Sequence, residues 1–157
     1  GDHAAALEHW RLLLAAHPGA FALVARDFAS SADTAGDGAI ALIELDLLYR
    51  RAPTLDLLAA IALLEPSLAA QHKRLAQHLA NHPTLSAARA LLNIRIAERG
   101  TSDEPEVKSI EAAITHAAKP LQRYRCAACG FEAQHYFWQC PGCLNWDTYP
   151  TQRLEDL

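Results

Sequence analysis

The sequence has 157 residues, of which 51% are apolar and 20% are charged, and its formal net charge is −4. This length and composition are typical of a soluble globular protein with one domain, or one domain and a small appendage. The negative charge argues against a protein that binds nucleic acid mainly through phosphate attraction. No apolar run approaches the roughly 20 residues that span a bilayer, and the first residues do not predict a signal peptide.

Two stretches in the first third of the chain follow one pattern, which predicts a helical repeat. Each begins with Gly-Asp and ends with proline: GDHAAALEHWRLLLAAHP at 1–18 and GDGAIALIELDLLYRRAP at 36–53. Pro18 and Pro53 are 35 residues apart, close to the 34-residue period of tetratricopeptide repeats. We expect Asp2 and Asp37 to cap the two helices, and the prolines to end them because proline has no N–H.

Apolar residues at three- and four-residue spacing predict further helices along the chain. One face is formed by Phe21, Val24, Ala25 and Phe28. Further helices are expected at about 55–64, 68–81 and 86–99, and a last helix follows the start signal TSDEPE. Its apolar stripe is Val107, Ile110, Ile114 and Ala117. The pattern predicts about seven helices in antiparallel pairs, with a compact bundle of accidental repeat spacing as the alternative.

The Gly-Asp start, the aromatic residue or leucine, and the closing proline resemble the second helix of a tetratricopeptide repeat. This resemblance implies an all-α fold of antiparallel helix pairs in a superhelical array, whose concave face binds proteins. It also implies that the sequence begins inside a repeat and is part of a longer protein. We would then expect Leu7, Trp10 and Leu14 to expose apolar surface that an upstream helix covers, and a dimer could form through this end.

All four cysteines lie in CAACGFEAQHYFWQCPGC, residues 126–143, as two C-x-x-C pairs separated by ten residues. Each pair can form a tight turn in which two thiolates face one point and backbone N–H groups donate to the sulfurs. Four such ligands in tetrahedral geometry suit zinc or iron. We therefore predict that one zinc or iron ion binds Cys126, Cys129, Cys140 and Cys143. Two disulfides or four unrelated thiols are the alternative, and His135 is a weaker candidate ligand because four cysteines already fill the site.

The segment around these cysteines, residues 124–150, is called the knuckle here. A unit of this size depends on its metal for folding. Gly130 follows the second cysteine, where a turn often needs positive φ. The linker to the last helix, residues 119–123, is short and contains proline. We therefore expect the knuckle to dock onto the helices by burying some of Tyr136, Phe137, Trp138 and Trp146.

The knuckle follows the pattern Y-x-C-x-x-C-G-F…W-x-C-P-x-C-x-x-W-x-T, which resembles one family closely. The residues that carry the resemblance are Tyr124, Cys126, Cys129, Gly130, Phe131, Trp138, Cys140, Pro141, Cys143, Trp146 and Thr148. The family is lipopolysaccharide assembly protein B (LapB) of Gram-negative bacteria, in which the knuckle follows tetratricopeptide repeats. The zinc finger of the RadA/Sms DNA-repair proteins is similar, but no P-loop motif occurs in this chain.

The family resemblance implies a non-enzymatic adaptor at the cytoplasmic face of the inner membrane, anchored by an N-terminal helix. Its implied partners are the FtsH membrane protease, the deacetylase that commits precursor to lipid A, and other lipopolysaccharide assembly proteins, with no nucleic acid. It implies helical repeats over 1–120 and a rubredoxin-like metal-binding domain with short β-hairpins over 121–157. True rubredoxins have glycine after the fourth cysteine, and Leu144 in that place favours a structural metal over electron transfer.

Two other functions stay open beside the protein-interaction scaffold. One is a redox carrier with cysteine-ligated iron. The other is a nucleic-acid-binding zinc ribbon, which the net charge disfavours, since the only basic concentration near the cysteines is Lys119, Arg123 and Arg125. We interpret these three residues as a solvated junction. An enzyme is least supported, because the sequence has no G-x-S-x-G, H-E-x-x-H or P-loop motif.

Overall fold

A computed structural model describes residues 2–100 and 104–157 of the chain. Within these residues the fold is mostly helical, as predicted, with one two-stranded antiparallel hairpin. The first half of the predicted start signal TSDEPE lies outside the described residues. The helices are α1 His3–Ala16, α2 Ala25–Ala35, α3 Gly38–Arg51, α4 Leu55–Leu64, α5 Leu68–Asn81, α6 Leu85–Arg99 and α7 Pro105–Ala118.

Most helix ends follow from local sequence signals. The Asp2 carboxylate accepts a hydrogen bond of 3.0 Å from the Ala5 N–H and caps α1, as predicted. Thr54 and Thr84 cap α4 and α6 in the same way. Gly100 ends α6 in the left-handed conformation, with φ of 67°, which costs glycine little.

The prediction that the Asp37 side chain caps α3 is wrong. Its carboxylate makes no capping hydrogen bond and instead accepts from the Arg11 guanidinium of α1, at 3.3 Å. Arg11 also donates to Glu44 of α3 at 3.0 Å. The Arg11 guanidinium competes with the backbone N–H groups for this carboxylate, so Asp37 joins α1 to α3 rather than closing its own helix.

The chain divides into two compact units, Gly1–His78 and Leu79–Leu157. In the first unit α2 packs against α1, α3 and α4. Contact between α2 and α4, with α3 between them in sequence, is the arrangement that stacked repeats produce. The largest fully buried side chains of this unit are Leu7, Phe21, Phe28, Leu45, Leu57 and Ile61.

Phe21 and Phe28 do not lie on one helix, although their spacing predicted one face. A 3₁₀ turn, Pro18–Leu23, carries Phe21, and α2 carries Phe28. The two rings still meet edge to face with centroids 5.3 Å apart. Pro18 ends α1, as expected, and the tighter turn then reorients the chain into α2.

The predicted apolar surface on α1 is not found at Leu7, which is only 1% exposed. Trp10 and Leu14 are half-buried. The helix packs against α2 and the 3₁₀ turn, so later elements of the same unit cover it. That the sequence begins inside a repeat stays a prediction.

In the second unit α6 packs against α7, and the knuckle and the C-terminal residues follow. The stripe predicted on α7 is only partly covered, because Val107 and Ile114 are half-buried while Ile110 is exposed. Strands β1, Tyr124–Arg125, and β2, Glu132–Ala133, pair in antiparallel register.

Two of the three basic residues before the first cysteine are engaged with this hairpin. Arg125 donates to Glu132 at 2.8 Å, and Arg123 lies 3.5 Å from the same carboxylate. These ion pairs agree with the interpretation of this segment as a solvated junction.

No helix in the described part of the chain is long and apolar enough to cross a membrane. The boundary between repeats at 1–120 and a metal-binding domain at 121–157 also stays a prediction, because the two compact units meet after His78 and not at residue 120.

Candidate metal centre

The four cysteine sulfurs converge on one point. All four Sγ atoms lie within 4.8 Å of one another, with Cys126 and Cys143 separated by 3.9 Å and Cys129 and Cys140 by 3.6 Å. Zinc–thiolate bonds of about 2.3 Å place tetrahedral ligands about 3.8 Å apart, so the sulfur positions fit one such ion. The cysteines are free of disulfides. They form a candidate site for one metal ion, and exposed His135 is not part of the cluster.

The two C-x-x-C turns present their sulfurs in the same way. Backbone N–H groups of Cys129 and Ala128 donate to the Cys126 sulfur. Those of Cys143 and Gly142 donate to the Cys140 sulfur, and they lower its pKa although burial acts in the opposite direction. Each turn therefore stabilises its first cysteine as the thiolate that a metal requires.

Each turn closes through the residue after its second cysteine. The Gly130 N–H donates to the Cys126 carbonyl at 2.9 Å, and the Leu144 N–H donates to the Cys140 carbonyl at 2.8 Å. Both residues are left-handed, with φ of 77° for Gly130, as predicted, and 61° for Leu144. Glycine adopts this conformation freely, whereas the Cβ of leucine makes it strained.

A second glycine of the knuckle, Gly142, lies in close contact with Phe131. A Cβ added at Gly142 would lie 3.2 Å from side-chain atoms of Phe131. This contact is tighter than a methyl group normally accepts, so a larger residue here would require Phe131 to shift by a few tenths of an ångström.

Two residues beyond the last cysteine support the sulfurs. The Thr148 hydroxyl lies 3.1 Å from the Cys126 sulfur, and its hydrogen bond is the main cause of the lowering of the Cys126 pKa to about 6. The Tyr149 hydroxyl lies 3.8 Å from the Cys140 sulfur and donates to the Phe131 carbonyl at 3.2 Å. Burial raises the pKa of Tyr149 to about 12, so it stays protonated as a donor. Sequence reasoning named Thr148 only as part of the motif and gave Tyr149 no individual role.

The aromatic residues pack differently from the prediction. Trp138 and Trp146 are 55% and 65% exposed, and Phe137 is also exposed. Tyr136 is half-buried, with its ring edge to face against Tyr124 at 5.7 Å and Trp138 at 5.0 Å. The expectation that these aromatic residues dock the knuckle onto helices is therefore wrong for three of the four.

Hydrogen bonds from the segments on either side of the knuckle reach α6 instead. The Gln122 side chain donates to the Ser86 hydroxyl at 2.8 Å, and the Ser86 N–H donates to the Glu155 carboxylate at 3.3 Å. The Leu154 N–H donates to the Arg123 carbonyl at 2.9 Å. The residues after the knuckle, 151–157, are called the tail here. Sequence reasoning gave the tail no role. The two adjacent acids at 155 and 156 were the only sign in the sequence that the tail could cap a helix.

These observations define a helical protein, with a repeat-like first unit and a rubredoxin-like four-cysteine knuckle near its C-terminus. A family model for the LapB zinc ribbon, described as a rubredoxin metal binding domain, matches residues 124–149.

Curated relatives extend this similarity beyond the knuckle. The chain is 31% identical over 84 residues to lipopolysaccharide assembly protein B of Escherichia coli strains K12, O6:H1 and O157:H7. The match covers 52% of this chain but 21% of each relative, so the chain spans about a fifth of their length. The predicted resemblance to lipopolysaccharide assembly protein B is confirmed over these matched residues.

Proposed function

We propose that this chain is part of a non-enzymatic adaptor in lipopolysaccharide assembly, and that its knuckle holds one structural metal ion. The observation that carries the proposal is the convergence of four sulfurs in a segment that matches the LapB zinc ribbon. The name of the E. coli relatives, lipopolysaccharide assembly protein B, supplies the process.

The proposed ligands are Cys126, Cys129, Cys140 and Cys143, and the ion is zinc or iron. Four thiolates leave no open coordination position for a substrate or an activated water, so a structural role fits best. The knuckle buries few large side chains besides Tyr124 and Tyr149. Metal–ligand binding, on the order of 10 kcal/mol for structural zinc, would supply the folding energy that so small a core lacks.

The proposed partners are those implied by the family: an FtsH-type membrane protease, the deacetylase that commits precursor to lipid A, and other lipopolysaccharide assembly proteins. The stacking of α2 against α4 supports a repeat surface that binds proteins. The proposed location is the cytoplasmic face of the inner membrane, with the anchor in a part of the protein outside this sequence.

A chimera tests the adaptor function. The segment of E. coli lipopolysaccharide assembly protein B that matches this chain would be replaced by it, in cells that lack the natural protein. We expect normal deacetylase and lipopolysaccharide levels, and loss of this control when Cys126 and Cys129 are both changed to serine. A chimera that is folded and metal-loaded but leaves deacetylase levels uncontrolled would contradict the proposal.

An iron-based redox carrier is the second candidate, because one edge of the site reaches solvent. Cys129 is exposed and Cys143 is half-buried, so electrons could enter there. This function requires iron that is reduced and reoxidised reversibly while all four thiolates stay bound. Protein film voltammetry on the iron-loaded chain would show a reversible one-electron wave if it holds, and an absent or irreversible wave would exclude a redox function.

A further inference from the structure

The four cysteines of the candidate metal centre differ in how far solvent reaches them. Cys126 and Cys140, the first cysteine of each turn, are 1% and 0% exposed. Cys129 is exposed and Cys143 is half-buried. Dissolved oxidants react with cysteines that are accessible and held as thiolates. An oxidant therefore reaches Cys129 before it reaches the other three.

A second sulfur lies next to this exposed cysteine. The Cys129 sulfur is 3.6 Å from the sulfur of Cys140, which belongs to the other turn. Because Cys140 is shielded from solvent, it reacts with a neighbouring sulfur rather than with a dissolved oxidant. An accessible cysteine beside a second cysteine that can form a disulfide with it is typical of redox-sensitive sites.

We propose that Cys129 is a site of reversible oxidation, at which a hydroperoxide converts the metal-loaded knuckle into a disulfide form. The inference rests on the proposed function, because a bound metal ion keeps each coordinating sulfur as the thiolate. In the first step the Cys129 thiolate attacks one oxygen of hydrogen peroxide. An S–O bond forms, the O–O bond breaks and hydroxide leaves, so that Cys129 becomes a sulfenic acid.

In the second step the Cys140 thiolate attacks the sulfur of this sulfenic acid. The S–S bond forms, the S–O bond breaks and a second hydroxide leaves. The two sulfurs together lose the two electrons that the peroxide gains, and buffer protons convert both hydroxides to water. Cys126 and Cys143 remain as thiolates, and two ligands are too few to hold a structural zinc ion. Oxidation thus releases the metal.

Release of the metal affects helix α6 through the segments that flank the knuckle. Gln122 donates to the Ser86 hydroxyl, and Glu155 accepts from the Ser86 N–H. The Leu154 N–H donates to the Arg123 carbonyl, so the two flanking segments are also joined to each other. Because the knuckle depends on its metal for folding, we expect these contacts to weaken when the metal leaves. Oxidation at Cys129 therefore loosens the start of α6.

Chemical labelling of the zinc-loaded chain tests the site. Limiting hydrogen peroxide is added with dimedone, which traps sulfenic acid, and mass spectrometry locates the adducts. We expect at least about fivefold more adduct at Cys129 than at any other cysteine. Without dimedone, chymotrypsin cleaves between the two turns at the aromatic residues of 131–138, and a disulfide should join the resulting peptides through Cys129 and Cys140. Preferential labelling of another cysteine, or a disulfide within one turn, would overturn the proposal.

Two histidine variants separate oxidation from the loss of a ligand. Cys129→His and Cys143→His each keep four zinc ligands, since structural sites accept three cysteines and one histidine. Elemental analysis first shows that both variants are loaded. Peroxide should then release zinc at least about tenfold more slowly from Cys129→His than from Cys143→His. Equal rates of release would overturn the assignment of Cys129.

Amide exchange before and after oxidation tests the effect on α6. In the oxidised wild type we expect exchange at Ser86 to be at least about fivefold faster, and to slow again after a dithiol reductant and zinc are added. Unchanged exchange after complete zinc release would overturn the link to α6. A loaded wild type that keeps its zinc in excess peroxide would overturn the oxidation site alone, whereas a chain that never binds metal would overturn the proposed function as well.

Discussion

Gly130 and Leu144 occupy equivalent places in the two turns of the knuckle, yet only one of them is glycine. Both donate their N–H to the carbonyl of the first cysteine in their pair, and both have positive φ. Leu144 is 67% exposed, so its side chain obtains little burial to offset the strain. The sequence showed the absence of glycine here, but only the backbone shows that leucine adopts the glycine conformation.

Exchanging the residue types at these two positions should have opposite effects. Leu144→Gly relieves a left-handed leucine but increases the entropy of the unfolded chain, so we expect a gain of up to about 1 kcal/mol in the free energy of unfolding. Gly130→Ala should lower the free energy of unfolding by about 1 kcal/mol, because alanine is strained at positive φ even though its Cβ would meet no atom within 4 Å. Denaturant unfolding of the metal-loaded protein measures both. Destabilisation by Leu144→Gly would show that the leucine side chain stabilises the fold.

Thr148 should influence the metal through Cys126 without touching the ion. Thr148→Val removes the hydroxyl that lies 3.1 Å from the Cys126 sulfur, while keeping the volume of the side chain. Supporting hydrogen bonds of this kind are worth about 10- to 100-fold in metal affinity, so we expect a loss of at least about tenfold. Competition with a chelator measures the affinity. Thr148→Ser keeps the hydroxyl and should bind as the wild type does, whereas equal losses in both variants would assign the effect to packing.

Two side chains cap the start of α6. Thr84 directly precedes the helix, whereas Glu155 lies far away in the sequence. Thr84 accepts from the Ala87 N–H, and Glu155 of the tail accepts from the Ser86 N–H. A carboxylate at this end of a helix also meets the positive end of the helix dipole. The caps from neighbouring residues, at Asp2 and Thr84, follow local sequence rules. The Glu155 cap could not be predicted, because it joins residues 69 positions apart.

Removal of this long-range cap should loosen the first turn of α6. We expect Glu155→Ala to cost about 1 kcal/mol, seen as roughly fivefold faster amide exchange at Ser86. Gln152→Ala is the control in the same tail, since Gln152 is exposed. Metal content should be unchanged in both variants. Ser86 exchange as slow in Glu155→Ala as in the control would mean that the carboxylate does not stabilise the helix.

At the scale of the whole molecule, local patterns predicted more than long-range packing did. Helical periodicity located the α-helices, and the cysteine spacing located the four converging sulfurs, because each depends on residues close in sequence. The Asp37 cap was mispredicted because Arg11, 26 residues away, competes for the carboxylate. The exposure of Trp138 and Trp146 was missed because residue type alone does not show where a small core places its aromatic rings.

Loss of one cysteine should therefore disturb more than the knuckle. In Cys126→Ser we expect faster amide exchange throughout residues 124–149 and also in the first turn of α6, since the linker and the tail hold that turn. Ala127→Ser alters an exposed position of the same turn and should exchange as the wild type does. Unchanged protection across residues 84–118 in Cys126→Ser would mean that the knuckle folds independently of the helices.

The central claim is that four thiolates hold one structural metal ion. Elemental analysis of freshly purified protein, with an absorption spectrum of the same sample, tests it most directly. We predict one zinc or iron ion per chain, which is lost together with the fold of the knuckle when all four cysteines are changed to serine. Zinc would leave the protein colourless, and iron would give thiolate charge-transfer bands. A folded knuckle that contains no stoichiometric metal would contradict the account.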